Sequence, residues 1–188
     1  MDIIQEGLDR AREELAHIRD GGIYRAAGRA GKRAMQHGKT TAVRIVREDY
    51  TIKASALRND LNIKVNKNGE LSMEMLSKGY VKKLSDFNFS PKRKGGRRPT
   101  RLTIQVKRGQ GGTIRGAFYA DAFPGVGSDG IYVRRGKHRR PLDEKFGPSV
   151  PQMLGTPENS GRIGTAIESK FLERLDHEVG NILGGVTR

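Results

Sequence analysis

The sequence predicts an α+β fold with long N-terminal helices, an antiparallel β-sheet meander of about five strands, and a C-terminal helix packed on the sheet. Apolar residues recur at helical spacing near both ends of the chain, whereas apolar and polar residues alternate through much of the middle. No strand–helix–strand alternation calls for a parallel sheet. The 188 residues are therefore expected to form one domain, 1–188.

Residues 1–60 are predicted to form a helical arm. A first apolar stripe at intervals of three and four residues comprises Ile4, Leu8, Ala11, Leu15 and Ile18. Asp20-Gly21-Gly22 interrupts it, and a longer helical pattern of ~42 Å follows from Ile23 to Tyr50. Its stripe is mostly small, so another backbone can approach closely: Ile23, Ala27, Ala30, Ala34, Gly38, Ala42 and Ile45. The opposite face either meets a polyanion or is simply solvated, and it carries Arg25, Arg29, Arg33, Arg44 and Arg47.

Residues 61–140 are predicted to form the sheet, after a short helix from Thr51 to Asp60. Two alternating runs surround Asn68-Gly69, a dipeptide that favours a hairpin turn because both of its residues tolerate positive φ. These runs and the later predicted strands are Leu61 to Lys67, Glu70 to Met75, Arg101 to Lys107, Thr113 to Ala120 and Gly130 to Arg134.

The C-terminal helix is predicted over residues 157–183. Thr156-Pro157-Glu158 supplies an N-cap hydroxyl, a proline in the first turn and an acidic residue near the positive end of the helix dipole. The apolar stripe is Ile163, Ile167, Phe171, Leu175, Val179 and Ile182. Gly184-Gly185 then provides a C-terminal stop.

The net charge of +15, from 36 Lys and Arg against 21 Asp and Glu, indicates a polyanionic neighbour, most often nucleic acid. Solubility alone is the alternative, although a charge of about 2–8 suffices for a small domain. The chain has no cysteine, which excludes disulfides and thiolate metal sites and suits assembly in a reducing cytoplasm. No apolar run approaches the ~18 residues of a membrane span, and the acidic N-terminus is unlike a secretory signal.

Two basic segments are the candidate surfaces for DNA or for an acidic protein partner. One is the loop at residues 90–101, and the other leads from the last predicted strand into residue 141. Neither contains an aromatic residue for base stacking, so the expected contact is with the phosphates of duplex DNA, independent of sequence. The basic residues are Lys92, Arg93, Lys94, Arg97, Arg98, Arg101, Arg134, Arg135, Lys137, Arg139 and Arg140.

No motif predicts an enzyme, a cofactor or a metal site. Residues 125–130 fit the glycine pattern of a dinucleotide site, but the following Ile131-Tyr132-Val133-Arg134 predicts a strand where that motif needs a helix. Asp143 and Glu144 are adjacent and have no accompanying nucleophile or base, so pairing with the neighbouring arginines, or with arginines of a next subunit, is the better interpretation. The histidines lack metal-ligand spacing: His17, His37, His138 and His177.

Residues 141–156 form a proline-rich segment that we call the elbow. Prolines fix φ and remove backbone donors, which predicts a rigid connection rather than a flexible loop. Its apolar residues indicate docking against the core or a neighbouring subunit. We therefore predict an interface element at Phe146, Gly147, Pro148, Ser149, Val150, Pro151, Gln152, Met153 and Leu154.

The elbow sequence from Pro141 to Leu154 resembles that of the minor tail protein Z family of tailed bacteriophages. Weaker similarity to the family covers Gly116-Ala117-Phe118, the segment Ile131 to Arg135, and the segment Ile52 to Arg58. Together with the total length, these segments extend the resemblance over essentially the whole chain. The departure lies between Val81 and Pro99, where a basic insert follows Phe87.

The resemblance implies a structural virion protein that completes the tail at its head-proximal end and is assembled in the host cytoplasm. It implies partners among the tail terminator, the tail tube and the head connector, and a homo-oligomeric ring around the DNA channel. The family context alone suggests a hexamer. The alternative is a host nucleic-acid-binding protein with no sequence preference, which the charge favours equally but which leaves the elbow unexplained.

Overall fold

The computed structural model describes residues 21–66, 71–92, 101–120 and 129–184. Together they form a mixed helix and strand fold, as predicted, with a long helix near each end of the described chain. The helices are α1 (Ile23–Asp49), α2 (Ala54–Asp60), α3 (Val150–Leu154) and α4 (Pro157–Gly184). The first helical stripe, the Asn68-Gly69 turn and the centre of the basic loop lie outside the described residues.

The described residues form ten strands in four small sheets, so the predicted count of about five strands was wrong. The first two sheets pair β1 (Leu61–Asn66) with β2 (Ser72–Ser77), and β3 (Val81–Lys83) with β10 (Phe146–Ser149). The third contains β4 (Asn88–Ser90), β5 (Arg101–Lys107) and β6 (Gln110–Arg115), and the fourth contains β7 (Ala117–Ala120), β8 (Gly130–Arg134) and β9 (Leu142–Glu144). Pairing is antiparallel in the last three sheets.

One predicted strand, Thr113 to Ala120, is two strands in the structure. Gly116 separates β6 from β7 with φ of 75°, a left-handed conformation that strands do not adopt. Glycine carries no Cβ, so it turns the chain here at little steric cost. The two strands therefore enter different sheets.

The chain divides into two compact units. One comprises the described residues within 1–41, 63–76 and 161–188. In this unit α4 lies close against α1, because a Cβ added to Gly38 would overlap the side chain of Ile167. Gly38 of the predicted stripe thus allows a close approach, whereas Ile23, the first residue of that stripe, is 52% exposed. An ion pair of 2.5 Å joins Arg29 Nε to Glu178 Oε2. Packing of α4 on a sheet stays a prediction.

The other unit comprises the described residues within 42–62 and 77–160 and contains the elbow. Its most deeply buried side chains come from α1, α2, the link between them, β5, β8 and the elbow, and include Ile45, Val46, Ile52, Leu57, Leu102, Ile131 and Val150. Backbone hydrogen bonds from Thr51 N to Val106 O (3.0 Å) and from Lys53 N to Asp86 O (2.8 Å) hold the link between α1 and α2 to this core. The elbow is therefore anchored on a packed base.

Candidate functional site: the elbow and the basic surface

The elbow contains regular secondary structure, which the prediction of a rigid proline-rich connection did not specify. It contributes β9, β10 and α3 in succession. β10 pairs antiparallel with β3, so that Phe146 lies opposite Lys83 and Ser149 lies opposite Val81. The register shifts between Gly147 and Ser149, next to Pro148, which has no backbone N–H to offer a neighbouring strand.

Gly147 allows β10 to lie directly on the buried side chains beneath it. A Cβ added at this position would be 2.8 Å from Phe87 Cε2 and 3.4 Å from Leu84 Cδ2. A contact of 2.8 Å is shorter than carbon atoms tolerate, so any larger residue would displace the aromatic ring. The glycine is thus explained by packing against this unit's core.

The second half of the elbow begins α3 with a local cap. The Ser149 backbone N–H donates to Gln152 Oε1 at 2.9 Å, which is one half of the reciprocal capping box that a Ser-x-x-Gln sequence forms. Pro151 lies in the first turn, where a helix does not need the missing N–H. These features fix the direction of the chain between β10 and α3.

The elbow has a buried side and an exposed side. Val150 and Met153 are 0% and 3% exposed and belong to the core, whereas Phe146 is 47% exposed. Pro151 and Gln152 are also exposed. The elbow is thus docked on its own unit through two of its apolar residues, while a third apolar side chain faces solvent.

Val81 and Phe146 lie on one exposed face of the β3–β10 ribbon, and together with the exposed Tyr80, which precedes β3, we call them the apolar patch. Val81 and Lys83 lie two residues apart on β3 and share one face, and Phe146 pairs with Lys83 on that same face. Tyr80 and Val81 are 72% and 53% exposed. Sequence analysis missed both residues, although two apolar residues following a glycine in a basic region were a usable signal.

A buried ion pair anchors β3 beneath the patch. Lys82 lies between Val81 and Lys83, on the opposite face of β3. Its Nζ lies 2.6 Å from Oδ1 of Asp60, a residue that is 2% exposed. The hydroxyl of Ser77 donates to the other carboxylate oxygen. Because both carboxylate oxygens are bonded, the pair is well satisfied and holds the strand in register.

The basic segment between β8 and β9 uses part of its charge for its own structure. Arg134 NH1 donates to the backbone oxygen of Arg139 at 3.1 Å, and its guanidinium lies 5.5 Å from the centroid of the Phe118 ring. Arg135 NH2 lies 2.7 Å from Asp143 Oδ1. The hydrogen bond from this guanidinium holds the pKa of Asp143 below its usual value and raises the pKa of Arg135. The arginine pairing predicted for Asp143 is thus present.

The remaining basic candidates that the structure describes are exposed. Lys92 Nζ lies 5.8 Å from the centroid of Phe89. The exposed set also includes Arg101, Lys137, Arg139 and Arg140. Arg93, Lys94, Arg97 and Arg98 lie outside the described residues. On α1, solvent-exposed positions are occupied, as predicted, by Arg25, Arg29, Arg33, Arg44 and Arg47.

The near-match to a dinucleotide motif lacks the element that the motif requires. Gly130 begins strand β8, so no helix opens there to receive a phosphate. Among the described residues, no group of three or more His, Asp or Glu side chains could hold a metal ion. No helix in the described part of the chain is long and apolar enough to cross a membrane.

The family comparison gives this surface its context. The family model described as prophage minor tail protein Z matches residues 5–188, nearly the whole chain and all of the elbow. The chain belongs to the prophage minor tail protein Z family. No curated protein and no solved structure matches it significantly. As a minor tail protein, it is a structural component of the phage virion and interacts with other tail proteins.

Proposed function

We propose that this minor tail protein completes the phage tail at its head-proximal end, as one 1–188 domain in a homo-oligomeric ring around the DNA channel. The ring would join the tail tube and its terminator to the head connector. The observation that carries the proposal is the apolar patch on a rigidly anchored elbow. A monomeric solvated protein has no need to hold Val81 and Phe146 exposed on one face of a short ribbon, with Tyr80 exposed directly before it.

The elbow supports the interface role because its geometry is fixed before a partner arrives. Gly147 packs on Phe87, Ser149 and Gln152 cap α3, and Val150 is buried. A preorganised surface loses little conformational entropy on association, which strengthens binding. The proposed interface is thus the outer side of residues 146–154 together with Tyr80 and Val81, and the buried residues of the elbow support it from beneath.

The exposed cations support a position near DNA. Lys137, Arg139 and Arg140 lie in a short loop beside β8, and the net charge of the chain is +15. Cations without stacking aromatics suit phosphate contacts that do not depend on sequence. We include contact between these residues and DNA in the proposal. The alternative partner for the same residues is the acidic rim of a neighbouring ring.

A host nucleic-acid-binding protein is the second candidate, and the net charge is the observation that favours it. Such a protein should bind free duplex tightly as a monomer, with a steep dependence on salt. The tail-completion role instead predicts weak duplex binding together with self-association. Anisotropy titrations with labelled duplex at two salt concentrations, alongside sedimentation velocity, separate the two.

The direct test is immunogold labelling of intact particles with an antibody to this protein. Label concentrated at the head–tail junction is the expected result. Label at the distal end of the tail would contradict the head-proximal position. A Pro148→Ala and Pro151→Ala double variant should still fold, since neither ring is deeply buried, yet should give fewer complete particles. Normal particle yield would exclude the elbow as an assembly element.

A further inference from the structure

Strand β6 is an edge strand with an accessible backbone. It pairs with β5, and in the described part of the chain no strand pairs with its other side. Every residue of β6 except Ile114 is exposed. An edge of this kind presents unpaired N–H and C=O groups, and proteins commonly protect such edges with proline or lysine. β6 contains neither.

The centre of β6 carries two glycines that the packing of the protein does not require. A Cβ added to Gly112 would meet no atom within 4 Å, and one added to Gly111 would make only ordinary contacts at 4.0 Å. Neither glycine has a positive φ. Glycine weakens a strand interior and is typical of places where another backbone approaches closely. The pair Gly111-Gly112 is explained if a second strand lies against this edge.

A cavity of about 400 Å³ lies beside the same edge. Gly112 pairs directly with Ile104, so both occupy the apolar face of the sheet. Because Gly112 has no side chain, the space over it stays open. The cavity is lined on its apolar sides by Leu84, Ile104, Val106 and Ile114. Its size and lining suit one or two aliphatic side chains from an added strand.

The charges around the edge indicate an acidic occupant. Arg101 and Arg115 lie directly opposite each other on β5 and β6, an arrangement that repels, and both are exposed. Neither has an acidic partner among the described residues. Lys107 borders the cavity at the other end of the hairpin. An extended segment with carboxylates at both ends would neutralise these cations.

We propose that the β6 edge binds an extended segment of another phage tail protein by strand addition. The segment inserts an aliphatic side chain over Gly112 and places acidic residues near Arg115 and Lys107. This inference rests on the tail role of the family, but not on the ring or on the head-proximal position. A second copy of this chain, pairing through the same edge, is the less suitable partner, since β6 contains no acidic residue to meet these cations.

The test compares two matched valine variants of the full-length chain. Gly112→Val fills the cavity, whereas Gly111→Val adds the same side chain on the opposite face, because Gly111 pairs with Gln105. The probe is a fluorescent peptide with a central Val-Thr-Ile-Thr-Val run and two glutamates at each end, followed by anisotropy. We expect the wild type and Gly111→Val to bind it alike, and Gly112→Val to bind at least ten-fold more weakly. A peptide with lysines in place of the glutamates should bind the wild type at least ten-fold more weakly than the glutamate-flanked peptide does.

Amide hydrogen exchange in assembled particles provides the second measurement. Exchange in residues 110–115 should be slower in particles than in the free chain. Unchanged exchange there, or equal peptide binding by the two valine variants, would overturn the proposal. Self-association that Gly112→Val abolishes would also overturn it, in favour of a second copy as occupant. Gold label away from the head–tail junction would contradict the proposed function while leaving this result intact.

Discussion

Val150 and Phe146 are four residues apart in the elbow but should respond oppositely to truncation. Val150→Ala removes two methyl groups from a side chain that is 0% exposed. Their transfer to water costs about 0.8 kcal/mol each, or about 1.6 kcal/mol together. A residual cavity of roughly 40 Å³ adds about 1 kcal/mol. The free energy of unfolding should therefore fall by about 2–3 kcal/mol.

Phe146→Ala should cost less, even though phenylalanine is the larger residue. Full burial of a phenylalanine side chain is worth about 1.5–3 kcal/mol, and Phe146 is 47% exposed. The folded protein therefore gains only about half of this value, and we expect a loss of about 1 kcal/mol. The exposed half is available to a partner, so this variant should be the one that lowers particle yield at permissive temperature.

Urea unfolding followed by far-UV circular dichroism measures both costs. For a chain of 188 residues, 1 kcal/mol shifts Tm by about 2–4 °C, so Val150→Ala should melt about 5–10 °C below the wild type. Complementation of a phage that lacks this protein then measures assembly. The two-sided interpretation of the elbow is refuted if Phe146→Ala destabilises as much as Val150→Ala, or if it assembles normally.

Three further predictions concern packing and charge. Gly147→Ala should lower the free energy of unfolding by about 1–3 kcal/mol in urea titrations. The control Gly164→Ala, whose added methyl meets no atom within 4 Å, should not destabilise the protein. Equal effects of the two variants would contradict the packing argument for Gly147. Asp60→Asn should cost about 3–5 kcal/mol in thermal unfolding, because it leaves a largely buried ammonium unpaired, and a change below 1 kcal/mol would argue against the ion pair. NMR titration should find the Asp143 pKa below that of an unpaired aspartate, and Arg135→Gln should raise it. Since folding lowers this pKa, the ion pair stabilises the folded protein at pH values above the usual aspartate pKa. This stabilisation is lost as the pH falls through the pKa of Asp143 in the folded protein. An unshifted pKa would contradict the ion pair.

The long elements of the fold were predictable from sequence because their periodic apolar patterns extend over many residues. α1 and α4 each carry an apolar stripe over many turns, and their predicted ends differ from the observed ends by one residue. β1, β2 and β5 were predictable for the same reason, since alternation over six or seven residues is unambiguous.

The short strands were not predictable because their stability comes from distant partners. β3 has three residues, too few for a period, and it pairs with β10 near the other end of its unit. Pro148 within β10 argued against a strand there. The same limit applies to the site: the elbow sequence indicated an interface, but the position of Val81 on the same face as Phe146 depends on this long-range pairing.

The pairing of β3 with β10 also bears on when a newly made subunit becomes competent. A ribosome releases β3 long before β10, so the ribbon that carries the apolar patch stays unpaired through much of synthesis. The unit containing α4 closes later still, since its last described segment follows the elbow in the chain. Prematurely terminated products therefore lack the paired ribbon. Under the proposed function, such incomplete subunits cannot dock on the growing particle.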